Sequence, residues 1–162
     1  MVYDKLVTFV MSMLPVVELR LSIPMAIHKL NLGWDDAFLY SILGNASIAL
    51  ILISIIYYYK VKRIKNFIGD IPIIGFIFRK WENSSIKKSK KIKKWSYTGL
   101  MCFVGIPLPI TGAWTAVLIA FFLDLKPIKS FFSITLGLIV SATIVTMISI
   151  YAPEVLKDLG WL

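Results

Sequence analysis

Hydrophobic residues form four long blocks along the chain, and polar residues collect between the second block and the third. The blocks cover residues 6–27, 37–59, 97–123 and 128–151. Each is near or above the roughly 20 residues that a helix needs to cross the hydrocarbon core of a bilayer. With 58% apolar residues and a mean hydropathy of +0.79, the chain is too hydrophobic for a soluble domain of 162 residues. The pattern predicts an all-α integral membrane protein.

The second and fourth blocks each predict one spanning helix. Block 37–59 follows Asp35 and Asp36, which suit a helix N-terminus, and it ends in aromatic and basic residues typical of a membrane interface. Block 128–151 follows Pro127, and proline is favoured at the first helical position. Neither block contains an internal proline, so nothing in the sequence interrupts these two helices.

The first and third blocks are each interrupted near the middle. Pro15 and Pro24 bracket Glu18 and Arg20 in the first block, and the third contains the run GIPLPITGAW. Proline inside a helix removes a hydrogen bond and clashes with an earlier carbonyl group. Each block is therefore expected to form a re-entrant hairpin, in which two half-length helices enter and leave on one face of the membrane. Four ordinary spans with proline kinks are the alternative.

The charge distribution predicts the orientation of the chain. Residues 60–94 contain twelve Lys or Arg against Asp70 and Glu82, a net charge of +10, whereas the whole chain carries +9. Positively charged loops are retained on the cytoplasmic side, so this segment is expected to face the cytoplasm. It is interpreted as a solvated loop or as a surface helix that binds anionic lipid. Nucleic acid is not expected as a partner, because membrane elements hold the segment at both ends.

The two halves of the chain share one plan, a broken block followed by an intact one. Adding 92 to the residue numbers carries Pro15 onto Pro107 and Ser41 onto Ser133. Both intact blocks carry small or polar residues four apart, which let helices approach closely in lipid. Because the first unit ends inside and the second begins inside, the units are expected to form an inverted repeat, as in many secondary transporters. A single membrane domain is expected over 1–162, with repeat one at 1–59, a basic cytoplasmic linker at 60–96, repeat two at 97–153 and a C-terminal tail at 154–162.

Glu18 and Arg20 are the strongest functional candidates in the sequence. An ionisable group at membrane depth costs ~2.5–3.5 kcal/mol on insertion scales and almost always faces a cavity or a partner. The arginine side chain suits a phosphate-like anion, and the carboxylate is suited to positioning it or to exchanging a proton. The alternative is a neutralising pair near the interface. The candidate substrate-binding or transport residues are Glu18, Arg20, Pro24, Asn45, Pro107, Pro109, Thr111, Gly112 and Trp114.

Metal, cofactor and enzyme chemistry are not expected. The chain contains one cysteine, Cys102, and one histidine, His28. It contains no Gly-rich phosphate loop, no nucleophile elbow and no paired carboxylates. The first block lacks a basic n-region and a small-residue cleavage pattern and carries Glu18 and Arg20, so it is expected to remain in the mature protein.

Three stretches of the chain resemble a known family. The runs ELRLSIPMAI, LGN and FVGIPLPITGAWTAVLIA, at 18–27, 43–45 and 103–120, resemble the small multidrug export protein family across almost the whole chain. The chain is similar, more distantly, to the DedA or VTT superfamily. The first resemblance implies export of small drugs, and the second implies paired re-entrant hairpins in an inverted repeat and movement of lipids such as polyprenyl phosphates across membranes. A location in the cytoplasmic membrane is expected. The second DedA hairpin is expected to carry arginines, and GIPLPITGAW contains none.

Three functions follow from these observations as hypotheses. The first is a transporter or lipid flippase that moves a lipid or an amphiphilic anion past Glu18 and Arg20. The second is a proton-coupled exporter of small molecules or drugs that uses Glu18. The third is a membrane scaffold that does not transport and binds anionic lipid through its basic loop. Membrane lipids are the expected partners, and a homo-oligomer is expected because few helices are available to shield a wet cavity from lipid.

Overall fold

The computed structural model describes residues 2–58, 89–108 and 111–154, and these residues form six α-helices with no β-strand among them. The all-helical prediction is confirmed. The interpretations of the basic segment fall largely outside the described residues, although a described helix begins at Ser89. In chain order the helices are α1 (Val2–Met13), α2 (Glu18–His28), α3 (Trp34–Tyr58), α4 (Ser89–Gly105), α5 (Ala113–Phe122) and α6 (Pro127–Tyr151).

The two long helices are those that the second and fourth blocks predict. Trp34–Tyr57 and Pro127–Tyr151 are long and apolar enough to cross a membrane. Their outer faces carry large apolar side chains that are half or more exposed, including Leu50 on α3 and Phe132 and Met147 on α6. A helix surface of this kind is suited to contact with lipid tails rather than with water.

The break in the first block contains Pro15 but ends before Pro24. Helix α1 ends at Met13 and α2 begins at Glu18, whereas Pro24 is buried inside α2. The expectation that Pro24 bounds the break is therefore wrong. A proline in the second turn of α2 only removes the hydrogen bond that its N–H would donate to the carbonyl of Arg20, and the buried packing around it tolerates that loss. The break in the third block lies where it was predicted, between Gly105 and Ala113.

Helices α1 and α2 both lie beside the first half of α3. At the beginning of α1, the ammonium of Lys5 lies 2.8 Å from the carboxylate of Asp36, near the beginning of α3. Towards its end, α1 packs on Gly44, where an added Cβ would overlap the Phe9 carbonyl and the Ser12 hydroxyl. Since α2 then leads back to the start of α3, the connection between α1 and α2 lies near the middle of α3.

Helices α4 and α5 lie beside α6 in the same way. The backbone N–H of Lys126, just before α6, donates to the Tyr97 hydroxyl of α4 at 2.9 Å. Further along, α4 packs on Gly137 of α6, where an added Cβ would meet the Met101 carbonyl and the Val104 side chain. The connection between α4 and α5 therefore lies near the middle of α6.

Helices α3 and α6 run in opposite directions. The hydroxyl of Tyr57, near the end of α3, donates to the Leu125 carbonyl before the start of α6 at 2.7 Å. At the other end, the Nε2 atom of His28 lies 3.0 Å from the Ser149 carbonyl near the end of α6. Consequently α1–α2 and α4–α5 extend inward from opposite ends of the bundle. The core between them contains Leu19, Ile23, Ala49, Ile53, Ala116, Val117, Ala120, Ile134, Leu138, Ala142 and Val145.

Candidate functional site

The connection between α1 and α2 touches the connection between α4 and α5 in the middle of the bundle. The indole Nε1 of Trp114 donates to the carbonyl of Met13 at 3.0 Å. The guanidinium of Arg20 donates to the hydroxyl of Thr111 at 3.3 Å. These two hydrogen bonds join segments about 90 to 100 residues apart in the sequence, and they bring both halves of the chain to one place.

Glu18 places its carboxylate on the N-terminus of α5. The side chain accepts hydrogen bonds from the backbone N–H groups of Ala113 and Trp114, and the residue is only 5% exposed. The first N–H groups of a helix have no partner within the helix and carry partial positive charge, so a carboxylate stabilises them. Glu18 thus acts as a cap for a helix of the other half of the chain.

The backbone of Glu18 is itself unusual. Its φ angle is 45°, in the left-handed region that non-glycine residues seldom occupy. A conformation of this kind costs of order 1–3 kcal/mol and is often found at functional sites. It allows the chain to turn sharply out of the connection and into α2 while the carboxylate reaches α5.

Gly112 leaves the space that the Glu18 carboxylate fills. A Cβ atom at this position would overlap the carboxyl group, so any other residue would force the two apart. Its backbone is extended, with φ near −100°, and does not require glycine. The glycine is therefore needed for close approach rather than for its conformational freedom.

Arg20 completes a buried ion pair with Glu18. The residue is 9% exposed, and its Nη2 atom lies 3.2 Å from Oε2 of Glu18. The Thr111 hydroxyl that accepts from Arg20 also donates to the carbonyls of Ile106 and Leu108. One guanidinium, one carboxylate, one hydroxyl and the helix amides thus form a single polar centre, which we call the tip centre and define by Glu18, Arg20, Thr111 and the first amides of α5.

The other predicted site residues lie at different distances from the tip centre. Pro107 is half-buried in the connection that contains Thr111, and no hydrogen bond joins it to the ion pair. Pro24 is buried one turn beyond Arg20 in α2. Asn45 is fully buried on α3, one turn beyond Ser41, whose hydroxyl accepts from Ser22 of α2 at 2.8 Å. Pro109 lies outside the described residues.

A groove between α1 and α3 lies away from the tip centre. It has a volume of about 440 Å³ and is lined by Val2, Lys5, Leu6, Phe9, Tyr40 and Leu43. The Lys5 ammonium at its rim lies 5.6 Å from the centre of the Tyr40 ring. The hydrogen bond from Lys5 to the Asp36 carboxylate raises the pKa of that lysine, which therefore stays charged at neutral pH. This groove contains none of the residues that the sequence singled out.

Sequence patterns could not have identified two backbone groups that join the connections. The Met13 carbonyl that holds Trp114 and the Ala113 amide that holds Glu18 are backbone groups, and every residue has them. The only signal was that Gly112 precedes an apolar helical run. Gly105, the other glycine of GIPLPITGAW, instead lies against Val140 of α6.

The tip centre is suited to holding an anion. Guanidinium groups and helix N-termini both bind carboxylate and phosphate oxygens, and here they hold the carboxylate of Glu18. The ion pair is neutral as a whole, which is the form that a low-dielectric interior tolerates. Within the described part of the chain, no group of three His, Cys, Asp or Glu side chains is placed to hold a metal ion.

Comparison with known proteins places the chain in a family. A family model described as "Putative small multi-drug export protein" matches residues 18–144, which include the whole tip centre and most of α6. Neither the curated proteins nor the solved structures contain a significant match. Since the family match covers well over half of the chain, and two helices are able to cross a membrane, the protein belongs to this family of small multi-drug export membrane proteins.

Proposed function

We propose that the protein is a transporter of the cytoplasmic membrane that moves a lipid or another amphiphilic anion past the tip centre. The observation that carries the proposal is the buried pair of Glu18 and Arg20, held between the two halves of the chain. Charged groups at membrane depth usually mark a substrate or ion pathway. A purely structural contact between helix connections does not require either charge.

The architecture that we propose is an inverted repeat of two re-entrant hairpins, each followed by a spanning helix. The contacts of the two key glycines support it. Gly44 packs on Phe9 and Ser12, and adding 92 carries those two residues onto Met101 and Val104, which pack on Gly137. Adding 93 carries Gly44 onto Gly137, and it carries both ends of α3 onto the ends of α6.

The loops before the two spanning helices also correspond. Asn31 and Asp124 are 93 positions apart, and both have left-handed backbones, with φ angles of 51° and 52°. Each is followed by a buried leucine, Leu32 or Leu125. Non-glycine residues rarely adopt this conformation, so its recurrence at one offset supports a repeat.

Contacts between the halves are exchanged when 92 is added to the residue numbers, one less than the offset that aligns the ends of α3 with those of α6. The Tyr57 hydroxyl donates to the Ala120 carbonyl at 3.2 Å, and His28 bonds the Ser149 carbonyl. Adding 92 carries Tyr57 onto Ser149 and His28 onto Ala120, so each contact maps onto the other. A two-fold relation between antiparallel halves requires this kind of exchange, and it supports the inverted orientation.

The proposed orientation follows from the basic segment. Residues 60–94 carry a net charge of +10 and connect the two halves, and the retention of positive loops on the inner side supports assigning them to the cytoplasm. The hairpin α1–α2 then enters from the outer face, and α4–α5 enters from the cytoplasmic face. Both stop near the midplane, where non-helical backbone is tolerated because protein surrounds it.

The proposed mechanism uses the tip centre as the contact that closes the pathway. In the closed state, Arg20 and the first amides of α5 hold the carboxylate of Glu18. An anionic headgroup binds the same donors and displaces that carboxylate. Rocking of one hairpin and its long helix against the other then exposes the headgroup to the opposite face. Its acyl or prenyl chains remain in contact with the apolar outer faces of α3 and α6.

An anion is favoured over a cation as the substrate. Arg20 lies beside Glu18, and it would repel a cationic drug that approached the carboxylate. The second candidate function is nevertheless a proton-coupled exporter of small molecules that uses Glu18, which the description of the family favours. A scaffold that does not transport is the outcome if no movement of any probe is found.

Transport in proteoliposomes tests the function. We expect the wild type to move a fluorescent phosphatidylglycerol between leaflets, as measured by dithionite quenching, and Arg20→Ala to slow it by about tenfold or more, since a desolvated charged contact is worth several kcal/mol. The matched controls are Lys29→Ala and Asp35→Asn, exposed charges away from the tip centre. Ethidium efflux lost in Glu18→Gln, with no lipid movement by the wild type, would favour the exporter instead.

Cysteine labelling tests the hairpins. In a Cys102→Ser background, a membrane-impermeant maleimide should label Lys5→Cys from outside and Lys126→Cys only after the cell is opened. Four ordinary spans predict the reverse pattern, because each hairpin would then cross the membrane. The homo-oligomer that we expect is tested on the same preparation by mass measurement in detergent.

A further inference from the structure

Asn45 is a buried amide without a partner. The residue is 0% exposed, and neither Nδ2 nor Oδ1 makes a hydrogen bond to any residue that the structure describes. Burying an amide without compensation is unfavourable, and nearly all buried polar groups in proteins are paired. An asparagine that packing alone required could be replaced by an apolar residue without this cost. The unmet amide is therefore available to bind a molecule that enters the bundle.

Asn45 lies at the level of the ion pair. The Ser22–Ser41 hydrogen bond sets the register between α2 and α3, which run in opposite directions. One turn back along α2 from Ser22 is Glu18, and one turn forward along α3 from Ser41 is Asn45. Residues four apart share a helix face, so both steps move in the same direction along the bundle. The amide and the tip centre thus occupy one layer.

The Asn45 amide supplies an unused hydrogen-bond acceptor, which the tip centre lacks. Arg20 and the amides of α5 are donors only, and the Glu18 carboxylate already accepts from them. The Thr111 hydroxyl is engaged with Arg20 and with two carbonyls of its own connection. Within the described part of this layer, Oδ1 of Asn45 is an acceptor that no group uses, and Nδ2 is a donor beside it.

We propose that Asn45 binds the substrate headgroup next to the anion that Arg20 binds, so that the substrate carries a hydroxyl or amide group adjacent to its anionic group. The inference rests on the proposed function and deepens it, because it predicts that the protein distinguishes headgroups of equal charge. A hydroxyl both donates to Oδ1 and accepts from Nδ2. A phosphodiester whose second substituent is only an alkyl group leaves Oδ1 unpaired. Sites with a polar group aimed at a substrate hydroxyl reject analogues that lack it.

Two probes of equal charge test the proposal. Fluorescent phosphatidylglycerol carries hydroxyls beside its phosphodiester, and fluorescent phosphatidylmethanol carries none. We expect the wild type to move the first about tenfold faster, the effect of about one pair of hydrogen bonds. Asn45→Leu, which keeps a branched side chain and removes the amide, should move both at the slower rate. Ser54→Ala is the control on the same helix, because its exposed hydroxyl bonds the Leu50 carbonyl of α3, and it should keep the preference.

Thermal unfolding in detergent separates a binding amide from a structural one. Since Asn45→Leu removes an unpaired buried amide, its midpoint should equal or exceed that of the wild type. Asn45→Ala gives the same comparison if the leucine variant does not fold. A lower midpoint in both variants, or a retained preference for phosphatidylglycerol, would overturn this inference and leave the proposed function standing. A wild type that moves neither probe faster than protein-free vesicles overturns the proposed function and this inference with it.

Discussion

The connection between α1 and α2 leads into both charges of the tip centre, whereas the connection between α4 and α5 contributes no charged side chain. Glu18 and Arg20 belong to the first half, and the second half supplies the Thr111 hydroxyl and the amides of Ala113 and Trp114. Yet the two halves pack in the same way, each through a glycine near the middle of its long helix. The packing is duplicated while the chemistry is not.

The glycine contacts, which occur in both halves, pack the bundle. The charged side chains of the tip centre, which occur in one half, belong to the proposed transport site. A change in the shared packing should affect both halves alike. A change in the tip centre should have unequal effects, because one side provides the ions and the other provides their neutral partners. Substitutions in each class are therefore the means to test the comparison.

The largest effect is expected at Arg20. In Arg20→Met the Glu18 carboxylate stays buried with only the α5 amides as partners, and we expect the free energy of unfolding to fall by about 3–5 kcal/mol. Denaturant unfolding in detergent measures it. Adding Glu18→Gln to that variant should restore part of the loss, because a neutral amide is cheaper to bury than an unpaired charge. A double variant less stable than Arg20→Met would contradict the pairing.

The next effect should be equal in the two halves. In Gly44→Ala the new methyl group meets the Phe9 carbonyl, and in Gly137→Ala it meets the Met101 carbonyl. Backbone atoms cannot move aside easily, so each variant should lose about 2–3 kcal/mol of stability. Thermal melts of both proteins check this. A large loss in one variant and none in the other would show that the halves do not pack alike.

A smaller loss is expected at Gly112, where the obstructing group is the movable side chain of Glu18. Gly112→Ala should cost about 1–2 kcal/mol of stability and should also slow transport, since it pushes the carboxylate off the N-terminus of α5. The matched control is Gly99→Ala on α4, where an added Cβ meets nothing within 4 Å. That variant should be unchanged or slightly more stable, because alanine favours the helix. Equal losses at the two glycines would count against a crowded carboxylate.

The smallest effect concerns the indole that joins the two connections. Trp114→Phe keeps an aromatic ring and removes the hydrogen bond to the Met13 carbonyl, so it should lose about 0.5–1.5 kcal/mol of stability. Unfolding in detergent measures the change. Its transport rate should fall less than that of Arg20→Ala, because the indole only positions the connection. A variant as inactive as Arg20→Ala would place the indole in contact with the substrate.

Prolines predicted one break well and the other only in part. In the third block, two prolines and two glycines lie within eight residues, and no helix of the described chain passes through that run. In the first block, Pro15 lies in the break but Pro24 lies inside a helix. A lone proline costs one hydrogen bond and some steric strain, and the buried contacts around α2 outweigh that cost. The local sequence does not show whether the cost of a proline in the helix or the gain from buried contacts is larger.

Hydropathy and charge along the chain were sufficient to predict an all-helical membrane protein and its two long helices, and to select Glu18 and Arg20 as charges that need a partner. These features follow from local composition. A long apolar stretch is favourable in lipid and a charge is costly there, whatever the rest of the fold. Tertiary structure alone decided that Glu18 caps α5, that Gly112 makes room for its carboxylate and that the Asn45 amide has no partner among the described residues. Each of these depends on residues far apart in the sequence, and their energies arise only when packing brings the two halves together.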